Sequence, residues 1–343
     1  RHNRMAQKGK SMELNSNSIS NIAHRLIKIH KITPPVDIES LVKKYATLHY
    51  KKIPIEGIDG ISLHLKSLSN PTIVIVNSNH PEQRQRFTLA HELGHIVIPW
   101  HTGSIIDHAD ILGLEETTTF INNYWSIEKE ANIFAAELLV ATPWVSHILT
   151  QFTDIAKAHT EIARVCNVSL QVAAIKLINY LPSNYVLVVE REGQIEYCYQ
   201  TNGTHARLPS KGSTLDRNHF SYYEQHYVCA HKNRQINWWK LPSKMRHIWI
   251  DDRHWKEILD SIITELNISH ETRKSMIATL NGVILYANNL TLRCGEYSRE
   301  RLTALCIQRL SGHQLLAPLF THKDFDSYLG KKIDELVQRH NPH

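Results

Sequence analysis

No stretch of this chain approaches the roughly 18 consecutive apolar residues that a bilayer-spanning helix requires. No apolar core follows the polar, basic first fifteen residues either. The expectation is therefore neither a membrane span nor a secretory signal. Cysteine is sparse and irregular. Cys166, Cys198, Cys229, Cys294 and Cys306 are odd in number, and none forms a CxxC pair. This argues against a disulfide framework and for a reducing, cytoplasmic setting, with the thiols read as small buried hydrophobes. Internal repeats and low-complexity tracts are missing too. Charge of one sign is not concentrated: a net +6 over 343 residues permits contact with nucleic acid without arguing for it.

What is present reads as ordinary globular protein, with 42% hydrophobic and 21% charged residues. The length is enough to bury cores without staples and suggests two domains. Residues before Met5 or Met12 are set aside, so that 1–17 stands as a possible tag or disordered lead. Residues 18–49 carry a helical period broken at Thr33-Pro34-Pro35. Residues 60–66 alternate as a strand, and 72–77, Thr-Ile-Val-Ile-Val-Asn, form a second, more buried one that pairs with it as a hairpin. A helix then begins near Pro81, capped by Asn79 or His80, and stops at Pro99. Residues 102–124 read as loop with a short element. Ser126 caps a helix over 127–140, Thr142-Pro143 opens the next, and two short helices flank Asn167-Val168-Ser169. The pattern changes near Pro182. A hairpin over 185–200, an irregular aromatic stretch over 201–250 and four helices follow. This gives domains at 18–182 and 184–343, an α+β first domain and a mixed α/β second one.

The chemistry concentrates in His91-Glu92-Leu93-Gly94-His95. Histidines four apart on a helix present both imidazoles on one face to a single ion, and the intervening glutamate is placed as a general base. Zinc is the natural metal for that set. A catalytic zinc takes a third protein ligand. His101 lies at the spacing of the HExxHxxGxxH pattern, but Ile98 stands where that pattern needs glycine, and Met245 and Met276 are too distant to form its Met-turn. A glutamate from the 127–140 helix is the other source: Glu130 is favoured, with Glu128 and Glu137 as alternatives. Tyr124, His101 and His108 are candidate donors to an oxyanion, and 72–77 is the candidate sheet edge for an added substrate strand.

Two linked segments, Arg86-Phe87-Thr88-Leu89-Ala90-His91-Glu92-Leu93-Gly94-His95 and Glu130-Ala131-Asn132-Ile133-Phe134-Ala135-Ala136-Glu137-Leu138-Leu139, closely resemble the ImmA/IrrE metallopeptidase family, as do Asp59-Gly60-Ile61-Ser62 and Pro34-Pro35-Val36-Asp37. The resemblance covers about residues 18–182. It implies a gluzincin-like fold, zinc on His91, His95 and Glu130, and Glu92 as base. It also implies a zinc endopeptidase that cuts an intracellular protein partner, a helix-turn-helix repressor or antitoxin, in a stress, mobile-element or phage-defence response. The proline that usually follows the Glu-Leu-Leu helix is delayed here to Pro143.

The alternative is a non-catalytic zinc-fold regulator that binds a protein partner or DNA. Two features speak to it. Residues 160–175 have helix-turn-helix flavour, but their second helix offers mainly Gln171 and Lys176 among apolar residues. Residues 219–255 interleave cations with Tyr222, Tyr223, Tyr227, Trp238, Trp239, Trp249 and Trp255. That suits either a stacking platform for a nucleic-acid or small-molecule signal or an aromatic core under solvated charges. No motif identifies residues 184–343, which are expected to sense a signal or dock the substrate.

Overall fold

A computed structural model describes residues 17–108, 119–217, 219–220, 223–245, 251–293, 297–310 and 313–340. The chain forms two compact units. One comprises Arg1–Thr153 and Lys157–Leu177, the other Asp154–Ala156 and Ile178–His343.

In the first unit, helix α1 (residues 17–30) leads through the proline break into α2 (Ile38–Val42). The Asp37 carboxylate caps α2 by accepting from the Ser40 amide. The helical period expected to run to residue 49 ends early: residues 47–51 are strand β1 (Thr47–Lys51). Strand β2 (Ile58–Leu65) and strand β3 (Ile73–Asn77) form the expected antiparallel hairpin. β4 (Gly103–His108), within the stretch read as loop, completes a four-stranded sheet in the order β1-β3-β2-β4. The candidate edge at 72–77 is thereby corrected. β3 pairs with β1 on one side and β2 on the other, so its backbone groups are spent inside the sheet. β1 and β4 stand at the margins.

Helix α3 (Glu82–Val97) lies against this sheet. Pro81 occupies its N-cap without a side-chain cap, and Pro99 prevents its continuation beyond Ile98. β2 runs beside it for most of its length. Asp59 takes a two-pronged ion pair from Arg84 (2.9 and 2.7 Å), near the helix start. The Lys66 ammonium reaches the carbonyls of His95 (2.7 Å) and Ile96 at its end, where a cation also suits the helix dipole. The lengths agree: seven strand residues span roughly 23 Å, and twelve helical ones roughly 18 Å.

Helix α4 (Thr119–Leu139) begins earlier than the sequence suggested, so Ser126 lies within it rather than capping it. α4 packs on α3 at a glycine: a Cβ on Gly94 would meet Phe134 Cδ1 at 3.0 Å and the Ala131 Cα at 3.3 Å. Small side chains at this crossing let the backbones approach closely. α5 (Thr142–Gln151), α6 (Ile155–Cys166) and α7 (Leu170–Tyr180) follow. The turn between α6 and α7 is tied to α3, with Arg86 and Gln83 donating to the carbonyls of Asn167 and Val168. That contact gives the helical pair a packing role. Glu137 is buried among Lys176, His24 and Thr142.

The second unit opens with β5 (Tyr185–Arg191) and β6 (Gln194–Gln200), and continues with β7 (Gln225–His231) and β8 (Arg234–Lys240). The last two lie where the sequence read as irregular. All four pair antiparallel in the order β6-β5-β8-β7. Trp238 and Trp239 are buried, Trp239 within a cluster with Val186, Val188 and Phe220. These two rings are therefore core rather than an exposed stacking platform. Tyr222 and Trp249 fall outside the described residues. α8 (Trp255–Glu265), α9 (His270–Arg293), α10 (Arg299–Leu310), α11 (Ala317–Phe320) and α12 (Phe325–His340) build a separate apolar cluster around Tyr328 and Phe325. Among the described residues, no single helix is long and apolar enough to cross a membrane.

Two outcomes follow for stability. Gly94→Leu drives a side chain into Phe134 and Ala131 and is expected to destabilise by about 1–3 kcal/mol or more, read from urea denaturation. Burial opposes ionisation of Glu137, but Lys176 together with the bonds from Thr142 and His24 outweighs it and holds the carboxyl below its ordinary value of 4.5. A depressed folded pKa means that this contribution is complete above the unfolded value and drains away as pH falls through the folded one. Glu137→Ala, which strands the Lys176 charge, is expected to cost about 3–5 kcal/mol at neutral pH. The loss should shrink as pH falls below 4.5, measured as urea midpoints of both proteins across pH.

Candidate metal centre

The turn of α3 from His91 to His95 sets two rings edge to face, their centroids 4.7 Å apart. Their Nε2 atoms stand 2.9 Å from one another, and both side chains are buried. Facing them from α4 is Glu128. Its Oε2 lies 3.0 Å from His91 Nε2, and its Oε1 lies 3.6 Å from His95 Nε2. Among the described residues, His91, His95 and Glu128 form a buried group whose ligand atoms lie within 4.8 Å of one another.

The protons decide what this group is for. His91 Nδ1 lies 3.0 Å from the side-chain oxygen of Asn132. That oxygen only accepts, so Nδ1 carries a proton, and in the neutral ring Nε2 presents a lone pair. His95 Nδ1 faces a second imidazole, that of His101, at 2.9 Å. Burial pushes the pKa of His95 down to about 4, and the neighbouring His91 and His101 add to the effect while Glu128 opposes it. Burial also lowers His101, against the pull of Glu130. Glu128 moves the opposite way: desolvation resists its charge, but its bonds to His91 and His95 prevail and keep the carboxyl below the usual range. The result is two imidazole nitrogens and an ionised carboxylate turned toward one point. Glu128 Oε1 is buried there without a hydrogen-bond partner. The three ligand atoms lie close enough together for one cation to replace the protons that otherwise link them. The donor set fits a divalent metal with nitrogen and oxygen ligands.

This corrects the expected third ligand. Glu130 turns away: its Oε2 accepts from the Trp100 indole (2.6 Å) and lies 3.0 Å from His101 Nε2. Glu137 is engaged with Lys176. Positions 128 and 130 are about 200° apart around a helix, so they cannot both face the histidines. The side of α4 toward α3 carries Glu128, Ala131 and Asn132. A signal for this was available. Glu128 is followed four residues on by Asn132, one turn away on the same face, whereas Glu130 is followed by Phe134 and Glu137 by Ala141. Only the first pair supplies polar groups for both nitrogens of one imidazole. The HExxHxxGxxH alternative also falls, because His101 stands behind His95, on its Nδ1 side. The side chains of Tyr124 and His108 lie outside the described residues.

Glu92, fully buried, points to β2. The Ser62 hydroxyl donates a short hydrogen bond to its Oε2. Directly beneath is Gly60, where any Cβ would collide with the Glu92 carboxylate and with Thr88. Gly60 and Ser62 are two apart, hence on one face of β2. The strand thus gives Glu92 both room and an anchor. Sequence reasoning noted this segment but assigned neither residue a task.

A histidine pair on a helix laid along a small sheet, a carboxylate from the next helix, and a buried glutamate between the histidines together define a metallopeptidase domain. Residues 46–177 match the family described as the IrrE N-terminal-like domain. That segment is similar to the ImmA/IrrE metallopeptidase family. Two relatives share it. The radiation response metalloprotease IrrE of Deinococcus radiodurans is 27% identical over 146 residues, 40% of this chain and 43% of that protein. Its namesake from Deinococcus deserti is 30% identical over 126 residues, 34% of this chain and 42% of that protein. The chain therefore spans less than half the length of the relatives it matches.

The site makes a sharp expectation. Glu128→Ala removes the carboxylate of this buried group and should purify without stoichiometric metal. Asn132→Leu removes only the partner of His91 and should weaken binding about 10–100-fold. Elemental analysis and chelator competition distinguish the two.

Proposed function

We propose that the first unit is a zinc-dependent endopeptidase, with His91, His95 and Glu128 holding the metal and Glu92 as general base. The observation that carries this reading is the buried meeting of His91, His95 and the ionised Glu128 carboxylate beside a buried glutamate. Zinc suits two nitrogens and one oxygen with a position left for substrate. When bound, it supplies Lewis acidity toward the scissile carbonyl and acidifies water.

The chain's own groups do the rest. Glu92 takes a proton from the attacking water as the new C–O bond forms, then hands it to the amine nitrogen as the C–N bond breaks. Ser62, donating to one carboxylate oxygen, fixes the orientation in which Glu92 does this. Gly60 keeps the space that the carboxylate occupies. A peptide substrate would lie as an added strand on β4, a margin of the sheet, where main-chain hydrogen bonds set the register. This replaces the 72–77 edge.

The biological role follows from family resemblance and from the relatives' names, which speak of a radiation response. We read the substrate as a specific intracellular partner, a helix-turn-helix repressor or antitoxin, whose cleavage switches a stress, mobile-element or phage-defence response. The second unit would sense the trigger or dock the partner.

The test is incubation of zinc-loaded protein with a repressor or antitoxin encoded beside its gene. Glu92→Gln should retain zinc and slow cleavage by about 10²–10⁴-fold. Cleavage at the wild-type rate by that variant would reject Glu92 as the base. A biological effect that survives in it unchanged would favour a binding role instead.

A further inference from the structure

His95 differs from His91 in what stands behind it. Behind His91 is an amide oxygen, an acceptor whatever the protonation of its surroundings. Behind His95 is His101, a ring that can donate or accept. Which of these it does settles whether His95 offers a lone pair or a proton to the metal position. The outcome must be fixed further out, and the residues that fix it form a short chain. His95 Nδ1 meets His101 Nδ1 at 2.9 Å. His101 Nε2 meets Glu130 Oε2 at 3.0 Å. The Trp100 indole meets that same oxygen at 2.6 Å. His95 and His101 are fully buried, and Glu130 is nearly so.

We propose that Trp100, Glu130 and His101 are positioning residues that hold His95 in the tautomer with its proton on Nδ1, leaving Nε2 to bind the metal. The deduction rests on proton counting, and on the proposed function for the identity of the metal position. An indole N–H can only donate, so the atom it meets at Glu130 must be an acceptor. His101 Nε2, facing the same oxygen, must then be the donor. A neutral imidazole has one ring proton. With that proton on Nε2, His101 Nδ1 is an acceptor, and His95 Nδ1 has to supply the hydrogen between them. Each step leaves one assignment. Three residues at Trp100, His101 and Glu130 thus do for His95 what Asn132 does alone for His91. It also explains why Glu130 is buried two residues from a ligand without being one.

Substitution separates this role from packing. Glu130→Gln keeps an acceptor, because Trp100 still requires the amide oxygen at that place, so the tautomer survives. Glu130→Leu removes the acceptor, and His101→Phe preserves a ring while removing both nitrogens. Zinc affinity by chelator competition should fall about 10–100-fold in Glu130→Leu and His101→Phe, and change no more than a few-fold in Glu130→Gln. Circular dichroism confirms that each variant is folded.

A second measurement reads the wild-type protein itself and needs no metal to bind. Long-range ¹H–¹⁵N spectra of the zinc-free wild-type protein, with the His95 resonances assigned by their absence in His95→Gln, should show its proton on Nδ1. A proton on Nε2 of His95 overturns the proposal, as does unchanged zinc affinity in both Glu130→Leu and His101→Phe. If the wild-type protein binds no zinc, the proposed function fails, while the tautomer of His95 still decides this inference by itself.

Discussion

The first unit depends on a close crossing of two helices. Gly94 and Ala131 let α3 and α4 approach until the Glu128 carboxylate stands against two imidazoles in a dry interior. Burying ionisable groups together in this way carries a desolvation cost, seen in the lowered pKa of His95. The fold accepts that cost at one place and surrounds it with apolar packing from Leu89, Leu93, Phe134 and Leu138. That is the pattern expected where local stability gives way to function.

Around this point the molecule is layered. The buried His91, His95 and Glu128 group comes from α3 and α4. Asn132 and His101 stand behind the histidines, and Trp100 and Glu130 stand behind His101. On the other side of α3, β2 provides Gly60 and Ser62 for Glu92 and pins the helix at both ends through Asp59 and Lys66. Rigid elements therefore carry every group to which chemistry is assigned. Only Trp100 and His101 come from a connection, and that connection is short and bounded by Pro99 and β4.

The second unit shows the other use of aromatic residues. Trp238 and Trp239 read in sequence as stacking groups among cations, but alternation along a sheet in which both faces are covered turned both inward. β7 and β8 were missed because their apolar residues do not alternate cleanly with polar ones. In β8 residues 236–239 are buried in succession, which erases the period-two signal, while in β7 the exposed Val228 and Ala230 are apolar beside half-buried Tyr227 and Cys229 and blur it. β4 was missed for a related reason: six residues with two glycine-like or hydroxyl positions, Gly103 and Ser104, at their start resemble loop.

Local rules determined a good deal from sequence. The α3 helix between Pro81 and Pro99, the β2–β3 hairpin, the histidine pair one turn apart and Glu92 between them were legible because helical period, proline chemistry and four-residue spacing are short-range. The four late helices were legible on the same ground. Tertiary structure alone decided which glutamate meets the histidines, that Glu130 serves His101, that Ser62 and Gly60 serve Glu92, and that β3 lies inside its sheet. Each of those outcomes depends on how one element is rotated and spaced against another. That rotation is set by packing between helices distant in sequence, at positions such as Gly94 and Phe134, so beyond the Glu128–Asn132 spacing no local pattern in the chain encodes it.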